Sequence, residues 1–273
     1  MPRLELLSPT GEIQKAIQRS LDLIAFGLQA AETDEINSLE MPGLSFQITP
    51  AGNLAMSPED ARIEFQSWVV TNGLRDCVDA LGPSLEWARK ICFLWSREGE
   101  IIELEDGNFR LSMEISGQAW NDFVVDLARD FEYWPLRKKI EYFSTEYKLP
   151  RFELAEDVLS INSARNCLTH RMGIVGPIDI ANSEDDKLVV RWKKMEIRAQ
   201  TKDGVRVLEL PARVEKGDKV TTAFSTVTKE FSLGERIQIS PTEFVEISTT
   251  FLMFALQLEH LIRDFQQARR TQA

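Results

Sequence analysis

Apolar residues recur at helical spacing along most of the chain. The first helix is predicted by a stripe of five aliphatic residues, Ile13, Ile17, Leu21, Ile24 and Leu28. Thr10 is placed to cap this helix, and Ser57 followed by Pro58 begins a second one. Gly82-Pro83 is predicted to break or kink the second helix, and a third helical stretch runs from Ser84 to Arg97.

The middle of the chain continues the helical pattern after one short interruption. Between residues 99 and 115, two alternating runs flank Asp106-Gly107-Asn108, which predicts a β-hairpin. Helix is then predicted from about Gln118 to Tyr147, with a break near Pro135, and from about Phe152 to Met172, ending at Gly173.

The pattern changes at residue 178 and changes back at residue 240. Residues 178–240 alternate between apolar and polar positions, which predicts three to five antiparallel strands with a hairpin turn at Asp203-Gly204. Ser240, Pro241 and Glu243 then provide a cap, a first helical proline and a capping box for a final helix. That helix carries a heptad seam of seven apolar residues, Phe244, Ile247, Phe251, Phe254, Leu258, Leu261 and Phe265. Such a seam predicts close packing on another helix, in the same chain or in a second copy.

These elements predict a mainly α protein, a helical bundle with a small antiparallel β insertion before the last helix. We divide it into a bundle at 1–177, a β-rich insertion at 178–240, and a last helix at 241–273 that packs back on the bundle. The composition, with 43% apolar residues among 273, fits a folded globular chain. No apolar run exceeds six residues, and the three cysteines form no CxxC pair, so we expect a cytoplasmic protein without a membrane segment.

The net charge of −11 is unevenly spread. Residues 1–132 hold 23 acidic and 10 basic residues, whereas residues 133–273 hold 20 acidic and 22 basic. An anionic partner is therefore expected to bind the second half of the chain. A solvated acidic surface on the first helices explains the same charge distribution without a partner. With only two histidines, a zinc site is not expected, and we predict neither metal nor cofactor.

Three polar residues share one arc of the predicted helix that ends near residue 172. With Arg165 at 0° and 100° per residue, Asn166 falls at 100° and His170 at 140°. A separate stripe of Leu154, Ile161, Ala164, Leu168 and Met172 is predicted to face the core. An ion pair for the arginine and an interaction of the histidine with the last carbonyls explain these residues without any further function.

The segment from Arg165 to Val175, with Arg-Asn-x-x-x-His followed by Arg-x-Gly-Ile-Val, resembles the motif of the HEPN superfamily. These all-helical domains occur in many prokaryotic toxin, phage-defence and CRISPR-associated ribonucleases. The resemblance covers roughly residues 57–177 and the final helix, and it implies a catalytic set of Arg165, Asn166 and His170. It also implies a homodimer in which two copies of the motif meet, and a protein partner that neutralises a toxin.

The residue types fit the cleavage of RNA by its own 2′-OH. His170 can act as a general base or acid, and Arg165 offers a planar fork of donors to a phosphate. One histidine does not conveniently perform both proton transfers, so the second copy implied by the resemblance supplies another. The function expected is therefore a metal-independent endoribonuclease. A non-catalytic HEPN-like module that binds RNA or protein is the alternative, and a structural dimer with a capped helix is a third.

Substrate binding is expected from basic residues near the motif. We assign Arg171, Lys138 and Lys139 to the RNA substrate, although a solvated helix face accounts for them equally well. Trp68, Trp87, Trp95 and Trp120 are expected in the core. Trp192, between Arg191 and Lys193, is the tryptophan most suited to stacking on a base.

Overall fold

The computed structural model describes residues 3–7, 9–31, 58–98, 103–104, 110–114, 117–127, 130–181, 185–201, 204–208 and 219–272. The structure is mostly helical, as the sequence predicts. Its helices are α1 (Pro9–Ala31), α2 (Pro58–Glu98), α3 (Gly117–Leu127), a 3-10 turn (Asp130–Tyr133), α4 (Leu136–Glu146), α5 (Ala155–His170), α6 (Pro177–Ile180) and α7 (Pro241–Gln272). Its strands are β1 (Arg3–Leu7), β2 (Glu103–Leu104), β3 (Arg110–Glu114), β4 (Lys187–Thr201), β5 (Gly204–Leu208) and β6 (Lys219–Ser232).

The long helices α1, α2 and α7 form the centre of the bundle. They come together at Gly73 on α2, where an added Cβ atom would lie 3.1 Å from Ile24 and 3.1 Å from Phe244. A larger residue there would push the helices apart, because protein cores leave no such space. All seven residues of the seam on α7 are buried, and they pack within this chain.

The predicted helix boundaries are partly correct. The capping box of α7 is present, since the amide of Glu243 donates to Ser240 Oγ at 3.2 Å and the amide of Ser240 donates to Glu243 at 2.7 Å. The cap at Thr10 is wrong, because Thr10 lies inside α1 and its buried hydroxyl donates to Glu259 at 3.2 Å. The break at Gly82-Pro83 is absent, and α2 continues through it for 41 residues.

Two antiparallel sheets of three strands flank the helices, in the orders β1-β3-β2 and β5-β4-β6. The hairpin predicted between 99 and 115 is present as β2 and β3, which pair Leu104 with Leu111, although its turn lies outside the described residues. The sequence did not predict β1, which pairs with β3. In the second sheet, β4 and β5 form an antiparallel hairpin at the predicted place, with Thr201 opposite Gly204 and Ala199 opposite Arg206.

The β-rich segment is anchored in the core at one end. Leu188, Val190 and Trp192 of β4 are buried together with Phe231 of β6. Farther along the same two strands, Met195 and Phe224 lie opposite each other, and both are exposed. The end of the sheet with Leu188 and Phe231, which we call its base, therefore belongs to the core of the bundle. The part with Met195 and Phe224 projects from the bundle.

Among the described residues, one helical stretch, Pro241–Ala268, is long and apolar enough to cross a membrane by length and composition alone, and its apolar window of 18 residues has a mean hydropathy of 1.2. Half of that window is buried inside the protein. Its apolar seam faces α1, α2, α5 and β4, as expected for the core helix of a folded bundle.

Candidate functional site

Helix α5 separates the protein core from an open cleft. Val158, Ile161 and Ala164 are fully buried on its core side. The residues of its other side that line the cleft recur every three or four positions, as helical geometry requires, and they are Glu156, Leu159, Ser160, Ser163, Asn166 and His170. The cleft has a volume of about 750 Å³.

The other walls of the cleft come from three separate segments. Strand β4 contributes Lys187, Leu188, Val189 and Arg191, and α4 contributes Arg137. The turn after α5 and the short helix α6 contribute Arg171 and Asp179. The cleft thus lies between the bundle and the base of the β-rich segment.

Strand β4 is fixed to α5 by side chains of the helix. The Ser160 hydroxyl accepts a hydrogen bond from the backbone amide of Arg191 at 2.9 Å. Asp157, which is 6% exposed, lies 3.2 Å from the Lys193 ammonium and 3.8 Å from the Arg191 guanidinium. On the α7 side, Thr250 accepts from the amide of Lys193 at 2.8 Å. These contacts satisfy polar groups of the strand and fix the position of β4 along the axis of α5.

Arg165 does not line the cleft. Its Nη2 donates to Asp79 of α2, and its Nη1 donates to Asn166 Oδ1 at 3.0 Å. Its Nε is buried and has no hydrogen-bond partner among the described residues. Arg75, one turn before Asp79, lies 3.5 Å from the same carboxylate. The guanidinium is therefore turned towards α2, and its link to the cleft runs through Asn166.

Asn166 and His170 both reach the cleft. Because the Oδ1 atom of Asn166 accepts from Arg165, the amide group presents its two N–H donors in the opposite direction. His170 is the last residue of α5, and its side chain is exposed. The sequence predicted that these two residues share one arc, and the structure places them in one cleft.

Arg171 is held at the edge of the cleft by Asp179. Its Nε donates to Asp179 Oδ2 at 2.7 Å, and its Nη2 donates to the other carboxylate oxygen. Although burial acts to lower the pKa of Arg171, these hydrogen bonds and the charge of Asp179 outweigh it and raise the pKa. Asp179 also accepts from the amide of Gly176 at 2.9 Å, which fixes the turn between α5 and α6. Arg171 therefore remains charged and oriented beside His170.

Lys138 and Lys139 do not line the cleft. Lys139 is 7% exposed, and its ammonium donates to the carbonyl of Glu132 at 2.8 Å. Burial lowers its pKa. The Lys138 ammonium lies 3.7 Å from the centre of the Trp134 ring. We leave both residues out of the candidate site, because the Lys139 ammonium is engaged inside the bundle, and Lys138, although exposed, lies against Trp134 and does not line the cleft.

Three aromatic or apolar residues lie where the sequence did not place them. Trp192 is 2% exposed and its Nε1 donates to Glu246 at 2.8 Å, so it is not a stacking platform. Trp68, expected in the core, is 62% exposed and stacks on Phe65. Met172 is 76% exposed because α5 ends at His170 and the chain turns there through a left-handed φ of 53°. Trp87 and Trp95 pack in the core as predicted, and the side chain of Trp120 lies outside the described residues.

The cleft differs in charge from the rest of the protein. Among the described residues, its lining includes the four cations Arg137, Arg171, Lys187 and Arg191 and the two carboxylates Glu156 and Asp179. In a chain with a net charge of −11, this is a local excess of positive charge. Sequence reasoning did not assign Lys187 and Arg191 to the site. The available signal was their alternate spacing on a strand, which puts them on one face.

No group of three or more His, Cys, Asp or Glu side chains suited to a metal ion occurs among the residues that the structure describes. Comparisons of the chain with protein-family models, with curated proteins and with solved structures found no match.

Proposed function

We propose that this protein is a HEPN-like endoribonuclease that cuts RNA without a metal ion. The observation that carries the proposal is the exposed His170 side chain in a cationic cleft, next to an Asn166 amide that Arg165 orients. A phosphodiester brings negative charge, which the cleft complements, and a proton to be moved, which an imidazole accepts and returns near neutral pH.

The reaction is an attack by the 2′-oxygen of a ribose on the adjacent phosphorus. The 2′-O–P bond forms, the P–O5′ bond breaks, and the products carry a 2′,3′-cyclic phosphate and a free 5′-OH. One imidazole takes the proton of the 2′-OH, and another gives a proton to the departing 5′-oxygen. The Asn166 N–H groups donate to a non-bridging phosphate oxygen as its charge grows. Arg165 acts through Asn166 and is thus a positioning residue.

Two proton transfers call for two histidines, so we propose that a homodimer brings the two copies of His170 together. The apolar seam of α7 does not support this dimer, because its seven residues are buried inside the chain. Support comes from the position of His170 at the exposed end of α5, where a second copy can approach it. A cytoplasmic toxin or phage-defence role, with a neutralising protein partner, belongs to the same proposal.

A second candidate function is a module that binds RNA or a protein without cutting RNA. One observation favours it specifically: the Arg165 guanidinium contacts Asp79 and Asn166 and does not line the cleft. The overall charge of −11 also disfavours RNA binding outside the cleft.

The two functions are separated by replacing each histidine in turn. His170→Ala is expected to lower RNA cleavage by about 10²–10⁴-fold, the usual contribution of a placed proton-transfer group. The matched control is His260→Ala, which removes the other histidine of the chain, an exposed α7 side chain 3.5 Å from Asp264. Cleavage is expected to persist in EDTA, with 2′,3′-cyclic phosphate ends. Binding without cleavage would establish the second candidate, and cleavage that survives His170→Ala would contradict the mechanism.

A further inference from the structure

The cleft is a groove that runs along α5. Its floor extends from Glu156 to His170, and fourteen residues of helix at 1.5 Å each span about 21 Å. Its volume of about 750 Å³ is spread over that length, so the groove is long and narrow, a shape that suits a single nucleic-acid strand lying along the helix.

Strand β4 runs antiparallel to α5 along this groove. Arg191 is bonded to Ser160, and Lys193 is paired with Asp157, so the strand number rises as the helix number falls. Lys187 precedes Arg191 by four residues, which at about 3.3 Å per residue is about 13 Å along the strand. Lys187 therefore lies towards the His170 end of the groove.

Three cations mark three levels along the groove. Lys187 lies towards His170, Arg191 lies level with Ser160, and Arg137 contacts Glu156 at the far end. Lys187 and Arg191 are 41% and 40% exposed, and their carboxylate partners are Glu230 and Asp157. The Lys187–Glu230 pair is exposed on both sides and therefore weak, and Arg191 lies 3.8 Å from an Asp157 that Lys193 also neutralises, so a phosphate competes for both cations.

We propose that β4 is the phosphate-binding wall of the groove, and that it holds a single RNA strand lengthwise along α5. Lys187 contacts the phosphate next to the one at His170, and Arg191 contacts a phosphate farther towards Arg137. This assignment rests on the proposed function in taking RNA as the ligand. It gives the β-rich segment a role in the site, since the segment supplies one wall and two of the cations.

The first test measures binding in the His170→Ala background, where cleavage plays no part. Fluorescence anisotropy with end-labelled oligouridylate is recorded over a range of salt concentrations. Lys187→Gln with Arg191→Gln is expected to weaken binding and to reduce the slope of log K against log salt by about 1.4, at about 0.7 per phosphate contact on a single strand. Lys187→Arg with Arg191→Lys keeps the charge and is expected to keep the slope. Thermal unfolding by circular dichroism checks that the variants fold.

The matched control removes the same charge from the same sheet outside the groove. Lys194→Gln with Lys219→Gln changes two exposed lysines that do not line the cleft, so the salt slope is expected to stay unchanged. Glu230→Gln releases Lys187 from its ion pair and is expected to tighten binding by up to about fivefold.

The length of the groove gives a second test. Affinity is expected to rise with oligonucleotide length and then to level off near about six nucleotides, the number that fits about 21 Å at 3.4 Å per stacked nucleotide. Equal salt slopes in the groove and control variants would overturn the proposal even if the protein cuts RNA. Failure of the His170→Ala protein to bind any oligonucleotide would also overturn it. Binding with these properties by a protein that never cuts RNA would support the groove and reject the ribonuclease.

Discussion

Two of the arginine–aspartate pairs that tie α2 to other helices differ in their exposure to water. Arg89 of α2 binds Asp126 of α3, and these side chains are 1% and 2% exposed; we call this the buried pair. Arg165 of α5 binds Asp79 of α2, with exposures of 19% and 46%; we call this the cleft pair. The same two functional groups thus hold a core together in one place and, in the other, lie behind Asn166, a residue that lines the cleft.

The surroundings explain the difference. Arg89 also donates to Glu86 at 2.8 and 3.1 Å, and its guanidinium lies 5.0 Å from the centre of the Phe131 ring. Charge sealed in this way must be matched, because a lone buried ion loses its hydration without compensation. The second partner of Arg165 is Asn166, whose amide reaches the cleft. The cleft pair therefore acts on orientation, whereas the buried pair acts on stability.

The largest effect is expected from breaking the buried pair. Arg89→Ala leaves the Asp126 carboxylate buried without its cation and is expected to lower the free energy of unfolding by about 3–5 kcal/mol. Chemical denaturation followed by circular dichroism measures this loss. Arg89→Leu with Asp126→Leu removes both charges and is expected to recover most of the stability. If the double variant is as unstable as Arg89→Ala, the loss comes from packing and not from the orphaned charge.

The next effect concerns activity. Arg165→Ala releases the Asn166 amide, and we expect RNA cleavage to fall by about 10²-fold, the lower end for losing an oriented donor. Stability is expected to change by no more than about 1 kcal/mol, because the partner Asp79 is 46% exposed. The fall should appear in kcat more than in KM, since the donor acts on charge that grows during the reaction. A variant that loses stability as severely as Arg89→Ala would remove the distinction between the two pairs.

The sequence predicted the helices and strands better than it predicted the effect of tertiary packing on them. The Ser240–Glu243 capping box and the α7 seam depend on residues close together in the chain, and both are present. Gly82-Pro83 predicts a break or a kink, but tertiary packing keeps α2 continuous, and Ser84 Oγ donates to the Ala80 carbonyl beside it at 2.9 Å. Local sequence states a propensity, and packing on α1 and α7 overrides it.

Only the part of the candidate site that lies on α5 could be predicted from the sequence. Asn166 and His170 share an arc of α5, and helical spacing was enough to place them together. Lys187 and Arg191 join them because of contacts made between Ser160 and the β4 backbone, which no local pattern contains. The orientation of Arg165 depends on Asp79, which lies 86 residues earlier in the chain. Contacts between residues so far apart in the chain cannot be predicted from the spacing of residues along one helix.

A smaller effect is expected from weakening the cleft pair without removing it. Asp79→Asn keeps an acceptor for Arg165 but removes its charge, so we expect cleavage to fall only a few-fold, within the range of an exposed ion pair. A double-mutant cycle of Asp79→Asn with Arg165→Ala measures the coupling. Additive losses would show that Asp79 does not act through Arg165.

The smallest effect is the response to acid of Glu86, which binds Arg89 of the buried pair. Burial acts to raise the pKa of Glu86, but the hydrogen bonds and charge of Arg89 outweigh it, so the folded pKa lies below 4.5. A lowered folded pKa means that the unfolded chain takes up the proton more readily, so this stabilisation is complete above pH 4.5 and declines as the pH falls through the folded value. Glu86→Gln is expected to flatten the fall in stability below pH 4.5. An unchanged slope in the Glu86→Gln protein would show that the charge of Glu86 adds nothing to the Arg89 cluster, whose stability would then rest on Asp126 and Phe131.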